Sequence, residues 1–89
     1  MTAISTAINF IRIQHANEMV IGEPIVLDRV FIARIERLFE VFRQESNSGW
    51  RAIAQEMDTR FGYKKFIWSY GDRGDYITEM IFCKLEDRK

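Results

Sequence analysis

From Leu27 to Gln44 apolar side chains return every third or fourth residue: Leu27, Phe31, Ile35, Leu38 and Phe42, widened by Phe39. Arg29, Arg34, Arg37, Glu40 and Arg43 flank them. A period near 3.6 puts the apolar set on one face, so this spacing predicts a long amphipathic helix. Asp28 can cap its start or sit in its first turn, and Pro24 lies where a chain enters a helix. The cluster Ser46, Asn47, Ser48, Gly49 marks its stop. A second helix follows, with Trp50, Ile53, Ala54, Met57 and Phe61 on one stripe and Arg51, Gln55, Glu56 and Arg60 outside it. Asn47 or Ser48 can cap it, and Gly62 can end it at positive φ. The short polar connection makes the pair a helical hairpin or helix-turn-helix. Its shared core is expected to comprise Phe31, Ile35, Leu38, Phe42, Ile53, Met57 and Phe61.

From Lys65 the period changes to two. Phe66, Trp68 and Tyr70 alternate with Ile67 and Ser69, and Tyr76 to Leu85 is again rich in β-branched and aromatic residues. Gly71, Asp72, Arg73, Gly74 and Asp75 between them read as a hairpin loop. Opposing Phe66, Trp68 and Tyr70 to Tyr76, Met80 and Phe82 would build a cross-strand aromatic ladder. The first quarter fits two readings. Ile4, Ala7, Ile8 and Ile11 suit a helix over roughly Thr2 to Gln14, with a short strand near Met19 to Ile21. A hairpin made from both segments is the alternative. The fold class is therefore α+β: two or three helices packed on a C-terminal antiparallel β-hairpin, with an N-terminal strand as an optional addition.

Length and composition narrow this further. Eighty-nine residues suit one domain, since each domain needs its own core. At 47% hydrophobic residues the chain can bury one. A chain of this size hides only roughly 60% of its unfolded surface, so a partner or a second copy would add usefully to its stability, and homo-oligomers are compatible with it. Thirteen basic residues balance thirteen acidic ones, which removes the long-range field that gathers phosphate. A single cysteine, Cys83, forms no intrachain disulfide and suits a reducing, cytoplasmic setting. The first residues show no basic segment followed by an apolar run, and no stretch approaches the ~20 apolar residues of a membrane span, so no membrane partner is expected.

Candidate chemistry is sparse. His15 is the only histidine; with Glu18 it forms an isolated His-x-x-Glu pair, short of the three or four ligands that zinc takes. Nucleophilic catalysis needs a base and a group to orient it, and Cys83 falls in a strand, where a small buried hydrophobe is the plainer reading. No glycine-rich phosphate loop opens a helix. Arg73, Gly74 and Asp75 spell an integrin-type tripeptide, which in a chain without disulfides reads as a chance turn. No cofactor, metal or catalytic residue is expected. Half of the aromatic residues fall between Arg60 and Tyr76, interleaved with Arg60, Lys64, Lys65 and Arg73. Such a hairpin could stack bases, meet a protein, or simply fill the core. The partner-binding candidates are Arg60, Tyr63, Lys64, Lys65, Tyr70 and Arg73, with the outer face of the long helix, Arg29, Arg37, Glu40 and Arg43, next in order.

A helix, a short strand, two helices and a C-terminal hairpin follow the order of a winged helix-turn-helix domain, and the chain resembles that family in outline over nearly its whole length. The resemblance implies that Ser48 to Phe61 is the recognition helix and Gly71 to Asp75 the wing tip, with Arg51, Gln55 and Arg60 offered to DNA. The helix before it is longer than that motif uses, and placing Ala54 and Asp58 at the motif's Ala and Gly positions puts Lys64 where it has an apolar residue. Two function classes follow. The first is a non-enzymatic protein that occupies a surface on a larger protein or ribonucleoprotein complex, as small phage-encoded inhibitors of the anti-CRISPR type do. The second is a winged-helix DNA-binding transcriptional regulator.

Overall fold

Thr2 opens the first helix by a reciprocal cap: its Oγ1 accepts the Ser5 N–H at 3.1 Å, and Ser5 Oγ accepts the Thr2 N–H at 3.2 Å. The computed structural model describes residues 2–74 and 76–84. Helix α1 (Ala3–Gln14) buries Ala3, Ala7, Ile8 and Ile11. His15 separates it from α2 (Ala16–Ile21), which Gly22 ends in the left-handed region at φ 89°. The strand expected at Met19 to Ile21 is thus the last turn of this short helix, and the alternative N-terminal hairpin is not formed. Val20 and Ile21 are exposed, with no strand beside them. β-Branched residues favour extended backbone only where a neighbouring strand takes their edge groups. That neighbour exists slightly later, at β1 (Ile25–Leu27), where Ile25 and Leu27 face inward.

Asp28 caps α3 (Arg29–Val41), its carboxylate accepting the Phe31 N–H at 2.9 Å. Leu27 therefore belongs to the strand and not to the helix. The buried stripe is Ile32, Ile35 and Phe39; Phe31 and Leu38 are half-buried at its margin, and Phe42 is 42% exposed. The face is rotated from the expected one because Phe39 fixes the contact with the next helix. α4 (Ser46–Phe61) begins earlier than its sequence suggests: Ser46 to Gly49 is its first turn and not a loop, and its cap is Glu45, not Asn47 or Ser48. Gly49 is needed there, because a Cβ at this position would stand 2.8 Å from Cζ of Phe39. The turn between the helices carries Arg43 at φ 57°.

Glu45 Oε1 accepts the Ser48 N–H at 2.8 Å. That bond, followed by the Ser48 hydroxyl, holds the Glu45 carboxyl below its ordinary 4.5. A carboxyl depressed in the folded state stabilises above its unfolded pKa and loses that contribution as pH falls through the folded one. The melting-temperature difference between the wild type and Glu45→Ala should accordingly be present at neutral pH and shrink as the pH drops below 4.5.

The three strands form an antiparallel sheet ordered β1-β3-β2, with β2 (Lys65–Tyr70) and β3 (Ile77–Cys83) as its hairpin. Phe66 lies opposite Phe82, which lies opposite Ile25; Trp68 lies opposite Met80, which lies opposite Leu27. Tyr70 meets Ile77 across an irregularity after Ser69, so the ladder continues through Ile77 and not through Tyr76. Leu85, expected in the second strand, lies outside the described residues. Ile25, Leu27, Met80 and Phe82 are buried against the helices, joining Ile8, Ile11, Ile35, Ile53 and Met57 in one core. The fold is α+β with four helices among the described residues where the sequence suggests two or three, and the order of elements agrees with the winged helix-turn-helix outline. Ile35→Ala, at a fully buried site, should cost about 2–5 kcal/mol in urea denaturation, and half-buried Leu38→Ala less than that range.

Candidate binding groove

The residues proposed from sequence do not form one surface. Tyr63 is in the core at 2% exposure, its hydroxyl without a hydrogen-bond partner among the described residues. Burial raises its pKa, and the Glu18 carboxylate adds to the rise. Its place in the proposed surface is thereby corrected, because Gly62 turns the chain back onto the helices immediately before it. Lys64 pairs with Asp58 at 2.8 Å, and Arg60 pairs with Glu56 at 3.7 Å and lies 5.1 Å from the Phe61 ring. Lys65 is exposed at the start of β2. Arg73 is exposed at the loop tip, where Gly74 takes φ 70° and donates to the Gly71 carbonyl at 2.8 Å. Asp75, the last residue of the Arg-Gly-Asp sequence, lies outside the described residues.

Tyr70 belongs to a concave, largely aromatic site. Between α4 and the hairpin runs a groove of about 210 Å³. Asn47, Trp50, Arg51 and Ala54 form its helix wall; Phe66, Trp68 and Tyr70 form its strand wall, and Ile77 and Met80 lie in it from β3. The pleat explains the second wall, since alternate residues of β2 share the face turned toward the helices. Phe66 is held there by stacking on Phe82 at 4.7 Å and by Trp68 at 5.2 Å. Trp68 and Tyr70 lie farther along the strand and remain 47% and 55% exposed. On the helix wall Trp50 is buried edge-on against Phe39 at 5.5 Å, and its indole N–H has no hydrogen-bond partner among the described residues. Arg51 is exposed and in no ion pair among the described residues.

The loop end of the hairpin is fixed from the other side. Arg29 donates to the Ile77 carbonyl at 2.7 Å, pairs with Glu36 at 3.0 Å and lies 5.4 Å from the Tyr76 ring. This engages Arg29, which the sequence placed on a free outer helix face.

Asn47, Ala54, Phe66 and Trp68 are not among the partner-binding candidates read from sequence, and Arg51 entered only through the winged helix-turn-helix resemblance. The signal for the strand wall is the alternation of Phe66, Trp68 and Tyr70. The signal for the helix wall is only Arg51 on a solvated flank, which many helices share. Chemically, the groove offers aromatic faces, one cation and one amide: the residue types of a recognition surface. His15 Nδ1 lies 3.6 Å from Glu18, and Cys83 is half-buried on β3. Among the described residues no group of three or more His, Cys, Asp or Glu could hold a metal, and no helix is long and apolar enough to cross a membrane. No family model matches the chain, and no curated protein and no solved structure matches it, so the functional reading rests on this groove.

Proposed function

We propose that this protein is a non-enzymatic binding protein that occupies a surface on a larger protein or ribonucleoprotein complex, with the α4–β2 groove as its contact site. The observation behind this reading is that Trp68 and Tyr70 stand about half exposed on one wall of an apolar groove whose other wall presents Arg51, which has no ion-pair partner among the described residues. Tyr, Trp and Arg dominate binding energy at protein interfaces because they bury large areas and direct polar groups at little entropic cost. With one cysteine and no disulfide framework, we place its action in the cytoplasm.

The winged helix-turn-helix order supports a second reading, a DNA-binding regulator with α4 as its recognition helix. The charges weigh against it. Lys64 and Arg60 are paired within the chain, and Asp72 sits beside Arg73 at the loop tip. Salt separates the two. Full-length protein used as bait in its native host should retain its captured partner nearly unchanged between about 50 and 200 mM salt, since apolar contacts are not screened. A duplex binder with several phosphate contacts would lose about 10³–10⁵ in affinity over that range. Saturable, steeply salt-dependent binding to duplex DNA, with no protein captured, would replace the first reading by the second.

A further inference from the structure

We infer that the groove takes an extended peptide segment of the partner, which pairs with the free edge of β2 as a fourth strand and directs every second side chain into the groove, an acidic residue among them meeting Arg51. This rests on the protein-binding reading above and adds the conformation and charge of what is bound. The sheet order supplies the edge. With β3 in the centre, β2 has a neighbour on one side only among the described residues, and every second residue of such a strand turns its N–H and C=O outward. β1, the opposite edge, has three residues; β2 has six. The irregularity after Ser69 limits the regular stretch to Lys65–Ser69, so about five residues of the segment can pair.

The pleat supplies the direction of the side chains. A strand laid beside β2 continues its alternation, so the side chains level with Phe66 and Trp68 point toward α4. There they meet Ala54, whose small side chain leaves space between the walls. Arg51 supplies the charge preference. The nearby carboxylate of Glu45 is already engaged by the Ser48 N–H, and Arg51 has no ion-pair partner among the described residues. A carboxylate on the segment would complete a forked, charge-assisted pair. Strand addition of this kind draws affinity from the backbone and selectivity from alternate side chains.

The test uses the full chain and fluorescently labelled seven-residue peptides on an alternating threonine frame, with residues two, four and six varied among Phe, Leu, Asp and Lys. Peptides carrying two apolar residues and one Asp should bind saturably. N-methylation of alternate backbone amides should weaken binding by at least ~10-fold in one register and leave it nearly unchanged in the other, because only one set faces β2. Arg51→Glu should reverse the preference from Asp to Lys by a similar factor, at an exposed position where the fold is not at stake. Ala54→Trp should block binding outright, with its melting curve as the folding control. Equal tolerance of N-methylation in both registers overturns the inference. So does a dimer in sedimentation that Trp68→Ser dissolves, which would assign the edge to a second copy. If no peptide binds while the partner captured from the host still depends on Trp68, the strand-addition inference fails and the protein-binding reading stands. If a single-stranded oligonucleotide binds in a Trp68-dependent way and no protein is captured, both fail.

Discussion

Phe82→Ala should leave the protein only marginally folded, close to its midpoint at room temperature. Phe82 is fully buried in the central strand, opposite Ile25 on one side and Phe66 on the other, with its ring stacked on Phe66 at 4.7 Å. Truncating a buried Phe costs about 3–5 kcal/mol, from lost transfer energy and the cavity left behind. Small domains have about 5–15 kcal/mol in total, and one of this length sits toward the low end. At roughly 4–8 °C per kcal/mol, the melting temperature should fall by on the order of 20 °C. Circular dichroism melts and urea denaturation would read it. The loss should be global, because Phe82 joins both outer strands to the helical core. A cost below about 1 kcal/mol would show that the sheet does not pack its Phe82 face on the helices.

Much of this core was legible in the sequence, and the exceptions have physical causes. The periodicity of α3 is real, and Asp28 announces its cap. Its phase was not legible, because apolar residues spread from Phe31 to Phe42 over more than half the helix circumference, and only the partner chooses the buried half. That choice comes from Phe39, which closes over Gly49 where no Cβ intervenes. The same contact explains the start of α4. Ser46, Asn47, Ser48 and Gly49 have loop composition, yet the Glu45 carboxylate on the Ser48 N–H and the close helix crossing hold them helical. β1 was missed for the opposite reason. Three residues carry no period of their own, and Ile25 to Leu27 is a strand only because β3, distant in sequence, supplies its hydrogen bonds. Met19 to Ile21 has the stronger strand composition and no such partner. The groove was half legible for a related reason. The alternation of Phe66, Trp68 and Tyr70 gives one wall, but that Arg51 and Ala54 form the other depends on how α4 lies across the sheet. Tyr63, by contrast, looked like part of the aromatic surface because composition does not say which way a side chain turns after Gly62.

Trp68→Ala and Tyr70→Ala should each weaken partner binding by about 30-fold or more while changing the melting temperature by only a few degrees. The argument is one of exposure. Both side chains sit on the strand wall of the groove and leave about half their surface in water, so the fold loses little when they are cut back. A partner that fills the groove would bury that remainder, and central aromatic anchors cost about 2 kcal/mol or more on truncation, which is the 30-fold stated. Neighbouring aromatics give the contrast that makes the result interpretable. Tyr63→Ala empties a core position outside the groove, so it should lower the melting temperature and affect binding only through the loss of folded protein, whereas Phe66→Ala removes a groove-wall ring stacked on Phe82 and should lower both. Isothermal titration with the captured partner, alongside thermal melts of all four variants, separates the two classes. Trp68→Ala and Tyr70→Ala proteins that fold normally and bind at full strength would remove the groove from the contact. Attention would then turn to the exposed residues of α3 other than Arg29, whose guanidinium is committed to Glu36 and the Ile77 carbonyl.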